Sequence, residues 1–264
     1  MGNRPTPMEI TTAIVPIIPQ DIIDEILDHL ATDAGFRSLR TCALVSKSWA
    51  PSCRRHLFHT IDFTSKNMDR WLKTFPIPDQ SPAHDVRDLR IWIRRIPEKL
   101  LEHTVHFKNV HRVSLVGLGI APGFQFPSLW RLPQSVTSLT IVAGAITLAE
   151  IRNIMAQLPN LDDLSLPGPL GPVDRSELLG NGTDLRGRFG GKLILRNVRY
   201  ANRYIVNMLL EIPTGLRFTE VNIHCARESL HSIVTLVGAC CKTIVKLSHT
   251  VNFYGKFHPF SLSG

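Results

Sequence analysis

The sequence predicts an α+β chain: a short helical segment followed by a longer α/β repeat. Seven strand-like patterns recur along residues 61–264, and helical patterns lie between several of them. In front of these, residues 17–60 contain two short amphipathic helical patterns. Residues 1–16 are rich in proline and threonine, and we expect a loose arm there.

The first helix is predicted over residues 17–30, IIPQDIIDEILDHL. Pro19 stands near its start, where a helix tolerates proline, and acidic residues follow at the positive end of the helix dipole. Its apolar residues fall on one broad stripe: Ile22, Ile23, Ile26, Leu27 and Leu30. Other protein atoms are therefore expected to cover one face of this helix.

A second helix is predicted after the break at residues 31–35, and Pro51 is expected to end or bend it. One face carries Leu39, Cys42, Ala43, Ser46 and Trp49, whereas Leu44 and Val45 lie off that face. Two or three short helices in about forty residues cannot bury both stripes, since domains of that size usually need staples or a partner. Another protein is therefore expected to cover part of this surface.

The order of residues in this segment resembles an F-box. Its elements are Ile18-Pro19, the acidic and aliphatic residues of the first helix, and a second helix that closes in Val45, Ser46 and Trp49. The segment departs from the family pattern at Ile18, where leucine usually stands, and at Ser46, where cysteine usually stands. The match covers residues 17–58, and the stretch CALVSKSW followed by HLF is similar to fungal F-box proteins.

The resemblance implies that an F-box helical hairpin over residues 17–60 docks on the adaptor, and through it on the cullin, of an SCF-type ubiquitin ligase. The expected adaptor-binding residues are Ile18, Pro19, Ile22, Ile23, Ile26, Leu27, Leu30, Leu39, Val45 and Trp49. We expect Trp49 to be half-buried where the helices meet. The alternative is a hairpin that serves only as the cap or core of the repeats.

Residues 61–264 are expected to form a leucine-rich-repeat-like solenoid of about seven strand–helix units. Each predicted strand has an apolar-x-apolar core, and these cores begin at Leu89, Val113, Leu139, Leu164, Leu193, Val221 and Val245. The cores recur every 24 to 29 residues, and leucine-rich repeats have periods of about 20–29 residues. The asparagine expected after each strand is missing, because Gly144, Pro169 and Val198 occupy those places. A mixed α/β domain without solenoid geometry therefore stays open.

Helices are predicted between the strands. In TLAEIRNIMAQLPNL, Thr147 and Glu150 have the spacing of a capping box at a helix start. The stretches NRYIVNMLLEIPTGL and SLHSIVTLVGACCKT follow the same plan. Each unit would then bury its one-sided faces only by stacking on its neighbours.

Charge and cysteine content favour an acidic partner and a reducing compartment. The net charge of +8 lies wholly on residues 61–264, since residues 1–60 contain as many acidic as basic side chains. Five cysteines without a C-x-x-C motif fit neither a disulfide framework nor a zinc site. With no leader or membrane-spanning run, we expect a cytoplasmic or nuclear protein without a membrane partner, although MGNRPT formally matches a myristoylation pattern.

Motifs for catalysis or cofactor binding are incomplete, so we expect no enzyme activity, no metal and no cofactor. FGGK at 189–192 lacks the first glycine and the Ser/Thr of a phosphate loop. His103, His106 and His111 have no accompanying carboxylate motif, and we expect a solvated helix edge there. Arg186 and Arg188 precede Gly190-Gly191 without an aromatic RNA-binding signature, so nucleic acid is not the expected partner.

These features together predict a non-catalytic substrate-recognition subunit, with the F-box on the adaptor and the repeats on a target protein. The expected target contacts are outward strand residues on a concave face: Arg90, Ser114, Thr140, Ser165, Arg196 and Lys246. Their basic and hydroxyl groups suit an acidic or phosphorylated target. The alternatives are a repeat scaffold without a ligase role and an RNA-binding repeat protein.

Overall fold

The computed structural model describes residues 18–33, 35–92, 98–117, 131–142, 147–166, 189–198, 202–212, 215–226, 230–253 and 256–260. The chain divides into two units, Met1–Leu57 and Phe58–Gly264. Phe58 belongs to the second unit, where its side chain packs against the core.

The described residues of the first unit form three helices, α1 (Gln20–Asp33), α2 (Gly35–Val45) and α3 (Ala50–Leu57). Pro51 was expected to end or bend the second helix, but it lies in the first turn of α3, where a missing N–H costs no helical hydrogen bond. Ser46 and Trp49 therefore lie in a turn rather than on α2, and the Trp49 N–H donates to the Ser46 carbonyl (3.2 Å).

A small apolar core joins the three helices of the first unit. Ile23, Leu27, Leu39 and Cys53 are buried in it. Partly buried residues surround these four: Leu30, Ala31, Cys42, Ala43, Trp49 and Leu57. One residue of α1 therefore contributes to this core at nearly every turn, as the predicted stripe requires.

Several polar contacts hold α1 to α3, and two of them lie one helical turn apart. The Ser52 hydroxyl donates to Asp24 Oδ1 (2.6 Å), and one turn further on His56 Nε2 lies 2.8 Å from Asp28 Oδ1. Hydrogen bonds from Ser52 and Gln20 lower the pKa of Asp24 below its ordinary value. The four-residue spacing on both helices places the two contacts side by side.

The second unit is built on a nine-stranded sheet whose spatial order equals the chain order. Its first eight strands are parallel: β1 (Thr60–Thr64), β2 (Asp88–Trp92), β3 (Arg112–Val116), β4 (Ser138–Val142), β5 (Asp163–Leu166), β6 (Gly190–Val198), β7 (Arg217–Ala226) and β8 (Lys246–Phe253). The ninth, β9 (Lys256–Phe260), pairs antiparallel with β8. The predicted α/β class is therefore confirmed, and the structure adds that the sheet is parallel over eight strands.

Helices follow several of the strands: α4 (Ser65–Thr74), α5 (Glu98–Thr104), α6 (Leu148–Ala156), α7 (Asn202–Leu210) and α8 (Leu230–Cys240). Two short 3₁₀ helices, Pro78–Gln80 and Pro82–Asp85, follow α4. Buried residues of the helices and the inward residues of the strands form one cluster, so these helices cover one face of the sheet. The capping box predicted for α6 is confirmed, since Thr147 and Glu150 make both reciprocal bonds.

Six of the seven predicted strand cores lie in register across the sheet. Leu89 pairs with Val113, and the same row continues through Leu139, Leu164, Leu193 and Val221. The seventh prediction, Val245, is wrong by two residues, because Leu247 pairs with Val221 and Val245 is 88% exposed. The two inward positions of β8 are Leu247 and His249. Because His249 is not apolar, the apolar-x-apolar pattern of the sequence falls on Val245 and Leu247, two residues before the true core.

A repeated apolar pattern underlies this register. An apolar residue lies three positions before the first inward strand residue in most units: Phe58, Val86, Val110, Val136, Leu161, Phe218 and Ile244. The unit pattern is therefore apolar-x-x-apolar-x-apolar. Phe58, Ile61 and Phe63 repeat it in β1, a strand that the sequence prediction missed.

Neighbouring units are joined just before their strands by a repeated hydrogen-bond arrangement. The Arg87 carbonyl accepts from the N–H groups of His111 and Arg112, and the His111 carbonyl accepts from the next pair in the same way. Asparagine amides add to this in two units: Asn109 donates to the His84 carbonyl, and Asn160 donates to the Gln134 carbonyl. Asparagine side chains therefore link neighbouring repeats at a position that precedes the strand of the unit. Of the positions where it was sought, Val198 ends β6, while Gly144 and Pro169 lie outside the described residues.

Aromatic side chains fill the core at the first units of the sheet. Trp71 of α4 lies edge-on to Phe63 (5.6 Å between ring centroids) and stacks on Phe107 (6.0 Å). Phe58 and Phe75 pack around the same indole. The start of the repeat array is therefore closed by large rings.

At the other end, β9 occupies the hydrogen-bonding edge of β8, the last parallel strand. Pro259 lies within β9, and proline within a sheet is confined to edge strands, first strand positions or bulges, because it cannot donate to a ladder.

Candidate functional site

An exposed apolar stripe runs along α1 on the side away from the small core. Ile18, Ile22 and Ile26 are 48%, 44% and 42% exposed, whereas Ile23 and Leu27 are buried. Ile22 and Ile26 are four residues apart and share one face of α1, while Ile18 lies two residues before the helix begins. Burying a side chain of this type stabilises by about 1.5–3 kcal/mol relative to leaving it in water. A partner that covers the stripe would therefore gain several kcal/mol.

The second helix adds further exposed apolar residues. Phe36 is 56% exposed, Leu44 89% and Val45 67%. The sequence prediction had placed Leu44 and Val45 off the buried face, as found, but it did not select Phe36. Among the described residues of the first unit, six large apolar side chains on α1, on α2 and just before α1 are therefore exposed, whereas four apolar residues are buried in its core.

The structure divides the ten predicted adaptor contacts into two groups. Ile23, Leu27 and Leu39 are buried, and Leu30 and Trp49 are partly buried against them, so these five shape the unit from inside. Ile18, Pro19, Ile22, Ile26 and Val45 are exposed and available to a partner.

Four of the predicted target contacts form one row on the open face of the sheet, opposite the helices. Arg90, Ser114, Thr140 and Ser165 pair in sequence across β2 to β5. Ser165 is only 6% exposed and is therefore unavailable to a partner in this structure.

The remaining two predicted contacts lie in other rows. The row of Ser165 continues through Ile194, Asn222 and Ser248. Lys246 pairs instead with Glu220, and Arg196 lies beyond Leu195, where the register with β7 shifts. Arg196 was misplaced because a basic residue after the strand core was chosen instead of Ile194, which lies between the two inward positions. Lys246 was misplaced because the core of its strand was predicted two residues too early, at Val245.

The charged residues of the open face are mostly paired with one another. Arg112 Nε lies 2.7 Å from Asp88 Oδ1, and Glu220 accepts from Lys192 (2.9 Å) and Lys246 (3.2 Å). Hydrogen bonds from Lys192, Asn222 and Lys246 lower the pKa of Glu220 to about 2. Paired lysines are less available to an acidic partner, so this face has a mixed and largely compensated charge.

An apolar row lies beside the hydroxyl row on the same face. Trp92 pairs with Val116, and Val116 pairs with Val142, on neighbouring parallel strands. Trp92 is 50% exposed, and both valines are half-buried. A half-exposed tryptophan is a frequent binding hot spot. The sequence prediction missed Trp92 because it sought only polar outward residues.

Gly190-Gly191-Lys192, the fragment that suggests a phosphate loop, belongs to a strand. Gly191 has φ +70°, and a β-carbon there would meet the Asp162 carbonyl at 2.9 Å. The Lys192 N–H donates to Asp163 Oδ1, and its ammonium group pairs with Glu220. The glycine is therefore required by close strand packing, and the lysine is occupied by carboxylates.

His103 and Cys240 are both buried in the second unit. His103 was expected on a solvated helix edge, but it is 4% exposed at the end of α5. Burial lowers the pKa of His103, and burial raises the pKa of the Cys240 thiol to about 11. Among the described residues, no cluster of His, Cys, Asp or Glu is arranged to hold a metal ion. Nor is any helix in the described ranges long and apolar enough to cross a membrane.

Comparison with known proteins assigns no family to this chain. No protein-family model matches it, and no curated protein matches it either. Its function must therefore be inferred from the exposed surface of α1 and α2 and from the open face of the sheet.

Proposed function

We propose that this chain is a substrate-recognition subunit of an SCF-type ubiquitin ligase. In this proposal the helices of Met1–Leu57 act as an F-box on the ligase adaptor, and Phe58–Gly264 binds the target protein. The chain itself makes and breaks no covalent bond. It raises the effective concentration of the target near a ubiquitin-conjugating enzyme.

The proposal depends on one observation, the exposed stripe of Ile18, Ile22 and Ile26 on a three-helix unit with a very small core. Contiguous exposed apolar residues on a folded protein mark interaction sites. The regular spacing of this stripe fits a groove between the helices of a partner. The polar contacts of Asp24 and Asp28 to α3 support the proposal further, because they hold α1 with Ile22 and Ile26 facing outward.

For the second unit we propose a leucine-rich-repeat-like solenoid. Its support is the recurring apolar-x-x-apolar-x-apolar pattern, the sequential parallel strands and the helices on a single face. Leucine-rich repeats share this arrangement of short units, each in contact only with its neighbours.

The proposed target surface is the open face of the sheet over β2 to β4. Trp92, Val116 and Val142 would supply the apolar contact, while Ser114 and Thr140 of the adjacent row would hydrogen-bond to the target. Because neighbouring strands are about 4.8 Å apart, an extended segment lying across the strands could meet one side chain per strand. We expect Trp92, rather than the lysines that are paired with Glu220, to contribute most to the affinity for the target.

Co-purification with the adaptor tests the ligase role. The full chain would be co-expressed with the adaptor as wild type and as the Ile22→Asp/Ile26→Asp variant. The matched control is Val234→Asp/Val245→Asp, which places the same charges at exposed valines of the second unit (68% and 88% exposed). We expect the adaptor to be retained by wild type and control and lost by the α1 variant. Circular dichroism would verify that all three chains are folded.

Equal retention by the α1 variant and wild type would refute the proposed interface. A wild-type chain that is folded and monodisperse but ignores the adaptor would favour the repeat scaffold without a ligase role.

A further inference from the structure

In the described part of the second unit, the helix α4 carries a concentrated cluster of positive charge without ion-pair partners. Lys66, Arg70 and Lys73 recur at a spacing of four and three residues, so they share one face of the helix. All three are exposed, and within the described residues none of them forms an ion pair. The basic side chains of the open sheet face, by contrast, mostly contact carboxylates.

These cations line an open surface cavity. Its volume is about 420 Å³, and its described lining residues are Lys66, Asn67, Asp69, Arg70, Lys73 and Thr74. The opposite side of α4 is fixed in the core by Met68 and Trp71. At the helix start the Thr64 hydroxyl accepts from the Asn67 N–H (3.2 Å), and the Asn67 amide donates to the Asp62 carbonyl. The cations therefore stand on a well-anchored helix.

We propose that this face of α4 binds an acidic protein segment. The cluster of three cations and one carboxylate, Asp69, has a net charge of +2. Seven helical residues at 1.5 Å each separate Lys66 from Lys73, about 10 Å along the axis. About three residues of an extended peptide cover that distance, so two or three carboxylates match the cations in number and spacing.

The chemistry of the site favours a peptide over a nucleic acid or a membrane. Nucleic-acid sites neutralise many phosphates, often about 6–10, and single strands stack on aromatic rings. The described lining of the cavity contains no aromatic side chain. Membrane-binding basic clusters have about 4–8 cations or an apolar face that inserts, whereas Met68 and Trp71 of α4 are buried and Leu72 packs partly buried against the core.

This inference does not depend on the ligase proposal, because α4 belongs to the second unit and shares no residue with the α1 stripe. It also differs from the target surface proposed above, which lies on the sheet face opposite the helices. A segment bound to α4 could come from a target or from another partner, and its acidic chemistry is the property that the site recognises.

Fluorescence anisotropy with a labelled ten-residue polyglutamate peptide tests the inference on the full chain. Lys66→Glu/Arg70→Glu/Lys73→Glu is expected to weaken binding at least tenfold, and the corresponding triple glutamine variant should weaken it by a smaller factor. The matched control is Lys108→Glu/Arg131→Glu/Lys242→Glu, which changes the net charge equally at scattered exposed positions. Its affinity should stay within about threefold of wild type. Asp69→Lys should strengthen binding.

Added salt should weaken the complex, since exposed charges are screened over about 10 Å at 0.1 M. Equal weakening by the control and the α4 variant would overturn the inference, because only net charge would then matter. It would also be overturned if a ten-nucleotide oligouridylate bound more tightly than the peptide and lost affinity in the same variant. The site would then be a nucleic-acid site.

Discussion

Among single residues, Glu220 holds the most heavily engaged carboxylate described on the open sheet face. It accepts from Lys192 on one side, from Lys246 on the other and from Asn222 of its own strand. These bonds, that of Lys192 first, lower the pKa of Glu220 from 4.5 to about 2. The carboxylate thereby links three neighbouring strands, β6 to β8.

The Glu220→Gln substitution should remove a pH-dependent part of the stability. A carboxyl group with a lowered folded pKa contributes fully above pH 4.5, and its contribution disappears as the pH falls to about 2. We expect the variant to lose about 1 kcal/mol at pH 7, since solvent-accessible ion pairs contribute little, and almost nothing at pH 2. Urea unfolding followed by circular dichroism at both pH values measures this. A difference from wild type that does not change with pH would contradict the assignment.

His103 should affect stability in a different pH range. Its side chain is buried, its Nδ1 has no hydrogen-bond partner among the described residues, and burial followed by the nearby His106 lowers its pKa, against a weaker opposing effect of Glu102. Below pH 6.5 the unfolded chain takes up a proton that the folded chain resists, so the free energy of unfolding falls as the pH drops. His103→Leu should therefore lose less stability than wild type between pH 7.5 and 5.5. Equal pH slopes for the variant and wild type would contradict the prediction.

At the scale of elements, the start of α6 is fixed by hydrogen bonds of a capping box that the sequence predicted. The Thr147 hydroxyl accepts from the Glu150 N–H, and the Glu150 carboxylate accepts from the Thr147 N–H (2.8 Å). This helix buries Leu148, Ile151, Ile154 and Met155 against the sheet. The capping box therefore sets where a core element begins.

Thr147→Ala should cost about 1 kcal/mol of stability, the usual loss for an N-cap hydroxyl. Thr235→Ala is the matched control, because its hydroxyl bonds only to the His231 carbonyl within α8. Denaturant unfolding of both variants should show a lower midpoint for the first alone. Equal midpoints would mean that packing alone determines the start of α6.

The sequence predicted elements well where the apolar period was complete. Six strand cores and three of the helices follow from leucine spacing, because each buried position recurs in every unit. The strand β1 was missed although Ile61 lies 28 residues before Leu89, since no earlier unit shows the period. The helix α4 was missed because only Met68 and Trp71 are buried on it, too few to define a stripe.

The candidate surfaces were less predictable than the fold. Ile22 and Ile23 belong to one apolar stripe in the sequence, yet the first is exposed and the second is buried. Which of the two side chains is buried depends on where α2 and α3 pack against α1. The apolar period of a single helix carries no information about that packing. The pairing of Lys246 with Glu220 likewise depends on residues 26 positions apart, and it requires the sheet register.

Across the whole molecule, the two units differ greatly in the apolar core that each one contains. In the described part of the first unit four apolar residues are buried in one core, whereas the core cluster of the second unit runs from Phe63 to Cys240. Small cores give low local stability, and amide hydrogen exchange reports that stability for each segment. The first unit should therefore open at a lower free energy than the sheet.

Hydrogen exchange also tests whether the lower stability of the first unit is linked to the proposed adaptor binding. In the free chain we expect α1, α2 and α3 to exchange faster than β2 to β7. If the adaptor covers Ile18, Ile22 and Ile26, free adaptor at 100 times its Kd should slow exchange of these helices about 100-fold, because binding to the folded form alone stabilises by about 2.7 kcal/mol. The sheet should exchange at an unchanged rate, and the Ile22→Asp/Ile26→Asp variant should show no slowing. If the three helices of the free chain exchanged as slowly as the sheet, the first unit would not need a partner for stability, and the physical argument for adaptor docking would fail.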